Sequence, residues 1–268
     1  MSAVPGRVPA RTRSERWRAH ALEAALFLAV GAAYLAAAWF AEGSPAESYH
    51  NAVDLIEWER RLHIFIEPHW SAWIRPHGWL IDVANFVYFW GHAPVLVVFF
   101  LSLYLLKGRA PGASRGYSLF RTGFVVSEFI GIGIYMLFPV MPPRLLPADY
   151  GVIDTLTLRS GINYTEGDFL VNTYAAFPSL HFAWIVLVSA ALVRMNTKLL
   201  PLGFALPFVS FASIVVTGNH YVLDAVGGLL VAGIGLTVAL GLPDERVAAI
   251  GTRALQSLHA GRRPRPIL

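Results

Sequence analysis

Three short segments carry side chains whose types and spacing suit chemistry on a phosphate: Pro142-Pro143-Arg144, Phe177-Pro178-Ser179-Leu180-His181, and Gly218-Asn219-His220-Tyr221-Val222-Leu223-Asp224. His220 and Asp224 stand four residues apart, a spacing that places both on one face of a helix. A carboxylate there accepts a hydrogen bond from one imidazole nitrogen and leaves the other as a nucleophile, the base-orienting logic of a triad applied to histidine. Pro178 suits the first turn of a helix, where its missing N–H costs nothing. Ser179 and the free N–H groups of that turn can bind phosphate, helped by the helix dipole, and His181 then lies within reach of a leaving-group oxygen. Arg144 offers a bidentate fork to non-bridging phosphate oxygens. Each piece alone has a plainer explanation. A histidine at a helix end is commonly a hydrogen-bonded structural group, a His-x-x-x-Asp pair can ligate a metal, and a Pro-Ser turn is a common helix start.

The elements that must position these residues are membrane spans. The 268 residues are 56% hydrophobic and 14% charged, with a mean hydropathy of +0.53, against about 25% charged residues in soluble domains. Apolar runs at 21–41, 79–106, 117–138, 177–193, 199–217 and 221–242 are each long enough to cross a hydrocarbon core about 30 Å thick. Backbone groups in lipid must be satisfied within the segment, so the spans should be helices. The expectation is an all-α, polytopic membrane protein: a six-helix bundle over 19–243, with basic cytoplasmic tails at 1–18 and 244–268. A signal peptide competes for the first run, but no small-residue cleavage site clearly follows it. The absence of cysteine removes disulfides, thiolate nucleophiles and cysteine metal sites. Nothing resembles a nucleic-acid module, because the arginines flank apolar spans and read as topology signals.

Charge placement orients the bundle. The N-terminal tail, Lys107–Arg121, Arg194–Lys198 and the C-terminal tail are basic, whereas Glu42–Glu67 and Asp149–Asp168 hold the acidic residues. With six spans the basic stretches share one side, cytoplasmic by the positive-inside rule, and all three motif segments fall on the other. Both termini are then cytoplasmic, in a multi-pass protein of the cell membrane. Together, on one face and in this order, the three segments favour phosphate chemistry. The stretch Ser44–His77, rich in Trp58, Phe65, Trp70 and Trp73, is too polar to span and reads as one or two amphipathic helices on the outer surface, or a lid over the bundle. His92 and Glu128 lie at similar depth in the second and third spans and are expected to pair, with a proton relay as the alternative. Asp82 and Tyr88 are candidates for the pocket wall or for interface anchoring, and Asn172, Thr173 and Tyr174 for shaping the Phe-Pro-Ser turn. Gly131, Gly133, Gly227, Gly228, Gly233 and Gly235 read as close helix packing.

At Pro178-Ser179-x-His181 and His220-x-x-x-Asp224 the sequence resembles the type 2 phosphatidic acid phosphatase superfamily, in which two such motifs flank a phosphate site on a six-helix bundle. The superfamily's first motif, Lys followed by Arg-Pro, is not matched: Leu137 and Leu145 stand at the Lys and Pro positions, and Ile214 follows Ser213 where the third motif has Arg. Pro-Pro-Arg, Phe-Pro-Ser-Leu-His and Gly-Asn-His-Tyr-x-x-Asp are similar instead to the branch that includes inositol-phosphorylceramide synthases. The resemblance implies His220 as nucleophile, Asp224 as its orienting partner, His181 as general acid, and Arg144 and Ser179 as phosphate ligands. Pro143 and Tyr221 complete the expected substrate-binding set, Tyr221 confining the headgroup. It implies a phosphatase or phosphotransferase that needs no cofactor or metal. The substrate is a membrane lipid phosphate, the acceptor water or a lipid or polyol hydroxyl. A non-catalytic lipid-phosphate binder or transporter is the alternative from another class.

Overall fold

The computed structural model describes residues 13–40, 43–107, 109–110, 112–160 and 172–242. Residues 1–12 of the expected tail at 1–18 and all of the tail at 244–268 therefore lie outside the described residues, as do Glu42, Glu166 and Asp168, whereas 13–18 open α1. The described residues are mostly helical, with no strand among them: α1 (Arg13–Phe40), α2 (Pro45–Arg61), α3 (Glu67–Ile74), α4 (Gly78–Trp90), α5 (Ala93–Leu106), α6 (Ala113–Leu137), α7 (Thr155–Ser160), α8 (Leu180–Met195), α9 (Leu200–Val216) and α10 (Val222–Gly241).

Four of these are long and apolar enough to cross a membrane: α1, α6, α9 and α10. The expected second span is instead two helices, α4 and α5, bent by 44° at a short break. Gly91 caps the first, and Pro94 at the start of the second brings no N–H to continue the ladder. The expected fourth span, α8, has only 16 residues. The Ser44–His77 segment, expected as one or two helices, holds α2 and α3. Ser44 caps α2 by accepting the Glu47 N–H at 3.1 Å. Its inward stripe of Ser48, Ala52, Leu55, Ile56 and Glu59 packs on Val140, Leu146 and Tyr221, so α2 covers the end of the bundle that carries the third motif. Trp58, Trp73 and Trp79 are exposed, whereas Trp70 packs edge-on against Phe211 of α9.

The core is a sandwich of α6, α8 and α10, held by aromatic and aliphatic side chains such as Phe120, Phe124, Leu180, Leu187 and Val231. Small residues let the backbones approach. A Cβ on Gly228 of α10 would stand 2.3 Å from the Ser179 carbonyl oxygen, and one on Gly235 would stand 2.6 Å from the Gly123 carbonyl of α6. Gly131 and Gly227 are similarly closed in, by Leu180 and by Phe177, but Gly133 and Gly233 face open space. Close packing thus explains four of the six glycines so assigned. Gly228→Ala must separate α8 from α10 and should cost about 1–3 kcal/mol. Gly233→Ala meets nothing and should be neutral or stabilising by up to about 1 kcal/mol. Thermal unfolding in detergent, followed by circular dichroism, checks the pair.

Candidate active site

The three motif segments meet at one end of the bundle. After α6, Val140 forms a parallel bridge with Ala175, which lays the chain entering the Pro-Pro-Arg turn beside the chain entering α8. The Ser179 N–H donates to the Asp224 carbonyl at 2.9 Å, and the Arg144 N–H to the Gly218 carbonyl at 2.7 Å. Gly218 holds φ +71°, and a Cβ there would lie 2.8 Å from the Ile153 carbonyl oxygen, so the turn needs glycine on both counts. Backbone bonds alone therefore tie segments 45 and 74 positions apart in sequence.

His220 sits in the link between α9 and α10, not on a helix; α10 begins at Val222. Its spacing to Asp224 works through the helix cap rather than a helix face. One oxygen of Asp224, Oδ2, accepts the Tyr221 N–H at 2.8 Å and faces His220 Nδ1 at 3.2 Å. The Ala176 carbonyl lies 2.9 Å from the same nitrogen. A carbonyl can only accept, so Nδ1 carries the proton and Nε2 is left with its lone pair. Burial pushes this imidazole down to about 4, the Ala176 carbonyl opposing and Arg144 reinforcing the shift, so the ring is neutral at physiological pH. Nε2 faces His181 Nδ1 at 3.3 Å, and the His181 ring is also flanked by Tyr88, His92 and Trp184 at centroid distances of 5.1, 5.3 and 5.2 Å.

Arg144 is buried along its length and fixed from two sides. Its Nε donates to Asn219 Oδ1 at 3.1 Å, and its Nη1 lies 3.4 Å from Asp154 Oδ2. Both partners were missed from sequence, although Asn219 stands next to His220 and Asp154 was visible as an acid of the same loop region. Arg144, His181 and His220 line one cavity of about 420 Å³. Its remaining wall is mostly apolar and aromatic, including Tyr34 from α1, Phe89 and Pro94 at the α4–α5 break, and Tyr135 and Trp184.

Other expected residues fall elsewhere. Ser179 is fully buried and is the N-cap of α8, its Oγ accepting the Phe182 N–H at 3.2 Å; the helix begins two residues later than Pro178 would set it. Asp224 lies behind His220 rather than on the cavity wall, and Pro143 is buried beside Pro142, which does line the cavity. His92 and Glu128 do not bond to each other: His92 Nδ1 donates to the Tyr88 carbonyl and its Nε2 accepts from Ser210, both at 2.8 Å, while Glu128 takes the Trp184 indole N–H. Tyr88 lines the cavity, but Asp82 is paired with Arg159 of α7. Tyr221 is fully buried in the cluster under α2, its hydroxyl donating to the Met141 carbonyl at 2.9 Å. Tyr221→Phe should therefore lower stability by about 1–2 kcal/mol through the lost bond and leave KM unchanged, which thermal unfolding and steady-state kinetics would show.

No curated protein and no solved structure matches the chain. A family model described as the PAP2 superfamily matches residues 53–238, a stretch that runs from α2 nearly to the end of α10 and contains all three motif segments. Members of that superfamily are generally phosphatases and need no metal. This membrane-embedded helical chain belongs to the PAP2 superfamily, and with it to the phosphatase and phosphotransferase type of membrane protein.

Proposed function

We propose that the protein is a lipid phosphatase or phosphotransferase that works through a phosphohistidine on His220. The observation that carries this reading is the protonation pattern at His220. Its Nδ1–H is committed to the Ala176 carbonyl with Asp224 beside it, and its free Nε2 points toward His181 in a cavity that Arg144 also lines. The Nε2 lone pair attacks phosphorus, the bond to the lipid alkoxide breaks, and protonated His181 gives its proton to the departing oxygen. Water or an acceptor alcohol then attacks the phosphohistidine, His181 takes the proton of the incoming hydroxyl, and the N–P bond breaks. The 3.3 Å contact between the imidazoles must open for phosphorus to enter. Arg144, its plane set by Asn219 and Asp154, holds the non-bridging oxygens, and the dipole at the start of α8 adds to the positive field.

The aromatic wall of Tyr34, Phe89, Tyr135 and Trp184 suits the chain of a membrane lipid. Position 137, where the superfamily's first motif has Lys, is Leu137, 84% exposed at the end of α6. One guanidinium in place of two or three cations favours a singly charged phosphodiester headgroup, and with the Pro-Pro-Arg and Gly-Asn-His-Tyr segments supports transfer to a hydroxyl, as in the inositolphosphotransferase-like branch. Counting α8 and the bent α4–α5 pair as spans gives six. Arg115 and Arg194 share a hollow at the opposite end from His220, which by the positive-inside rule supports a cytoplasmic placement of that end, an outward-facing site and both termini inside.

In purified protein given a lipid phosphate labelled at phosphorus, label should appear on protein quenched in alkali, where phosphohistidine survives. His181→Ala should lose about 10²–10⁴-fold in turnover, His220→Ala should lose turnover and label together, and EDTA should change neither. Turnover that persists in His220→Ala would sink the proposal.

A further inference from the structure

Among the buried carboxylates that the chemistry above leaves unused, two lie together against the start of α10. Glu59, near the end of α2, and Glu67, the first residue of α3, are both fully buried. Glu59 Oε1 accepts the Leu223 N–H at 2.7 Å, and Glu67 Oε1 accepts the Val222 N–H at 2.8 Å. Asp224 takes the Tyr221 N–H. Three consecutive amides, immediately after His220, are thus each held by a carboxylate from a different helix. These are the donors a helix start leaves without an internal partner.

The second oxygens, Glu59 Oε2 and Glu67 Oε2, are buried with no donor, and among the described residues neither carboxylate forms an ion pair with Lys or Arg. The groups facing them are each other, Asp224 of α10 and the Tyr221 hydroxyl, with the Ile66 and Glu67 amides also beside the Glu67 carboxyl; the neighbouring Arg60 turns away onto the Phe65 ring. Two full charges here would be uncompensated in an apolar setting. Burial, and then the charge of Glu67, pushes Glu59 well up from the carboxylate range, and burial pushes Glu67 up as well.

We propose that Glu59 and Glu67 form an acid pair that holds one proton between its unpartnered oxygens, and that this pair positions His220 by clamping the first turn of α10. The inference rests on His220 being the nucleophile. One proton leaves a single negative charge at the start of α10, which complements the helix dipole, and lets the second oxygen of one acid donate to the other. The α2–α3 segment then serves as the mount that keeps the His220 ring against Ala176 and Asp224. As pH rises, the shared proton is lost, the two carboxylates repel, and the clamp opens.

Kinetics and infrared spectroscopy on the purified full-length protein test this. Glu59→Leu and Glu67→Leu should lower kcat about 100-fold with KM within about twofold of wild type, because Arg144 is untouched. Glu59→Gln or Glu67→Gln alone, whose carboxamide keeps the acceptor and supplies an N–H where the proton was, should hold kcat within about threefold and move its alkaline fall to higher pH. A wild-type minus Glu59→Gln difference spectrum at neutral pH should contain a protonated-carboxyl stretch, also seen when both carry His220→Ala. If the Leu variants fail to fold, the Gln variants and the spectrum decide. Unchanged kcat in folded Leu variants, a loss confined to KM, an alkaline limb unmoved by Gln, or only ionised-carboxylate bands would overturn the pair. Activity surviving in His220→Ala with the carboxyl band present would instead remove the nucleophile assignment and leave the pair standing.

Discussion

The contact between the start of α8 and the first two turns of α10 is the constraint on which the rest depends. Ser179 donates its N–H to the Asp224 carbonyl, while Gly228, one helical turn further on, lies under the Ser179 carbonyl with no room for a methyl group. The Phe177-Pro178 peptide, which is cis, packs over Gly227. This close approach brings two segments some forty positions apart to within one hydrogen bond, and it is why His181 and His220 face each other. Larger side chains anywhere along that seam would part the imidazoles before they disturbed either helix.

Around this seam the groups that would meet the phosphate are held by partners in the resting protein. Nδ1 of His220 has its acceptors, the guanidinium of Arg144 has Asn219 and Asp154, and Asn219 in turn donates to Thr217 Oγ1 at 2.9 Å. Such orientation in advance means that a developing charge meets dipoles already in place, with little reorganisation left for the reaction. The cost of burying these polar atoms is offset by bonds between loops that the fold brings together, such as His220 to Ala176 and Arg144 to Asn219.

Much of this was legible in the residues, and the exceptions have physical reasons. The motif segments and the apolar runs revealed the class of protein and the convergence of Arg144, His181 and His220, because spacing and hydropathy are local properties. What was missed depends on where a helix begins. Ser179 and Asp224 are cap residues, so the first spends its hydroxyl on Phe182 and the second reaches His220 through the turn before α10. The break at Gly91 and Pro94 carried its own signal, but the surrounding hydrophobicity masked it. His92 and Glu128 share a depth, and depth alone does not make neighbours: each found a partner on α9 or α8. In the sequence Glu59 and Glu67 carry no signal beyond being two of the acids in the stretch Glu42–Glu67. Only the fold reveals that they turn inward, because their partners are backbone amides more than 150 positions away.

The 16 residues of α8 have a geometric consequence for traffic at the site. At 1.5 Å per residue the helix measures about 24 Å, roughly a turn less than a hydrocarbon layer about 30 Å thick. Its far end is pinned by Arg194 and Lys198, whose charges belong in water. On the proposed six-span reading, with α8 as one of the spans, the shortfall collects at the His181 end and leaves a dimple in the membrane surface. A group borne on a lipid reaches the floor of such a dimple by sinking along its own tail, whereas a dissolved ester would have to leave water to follow it.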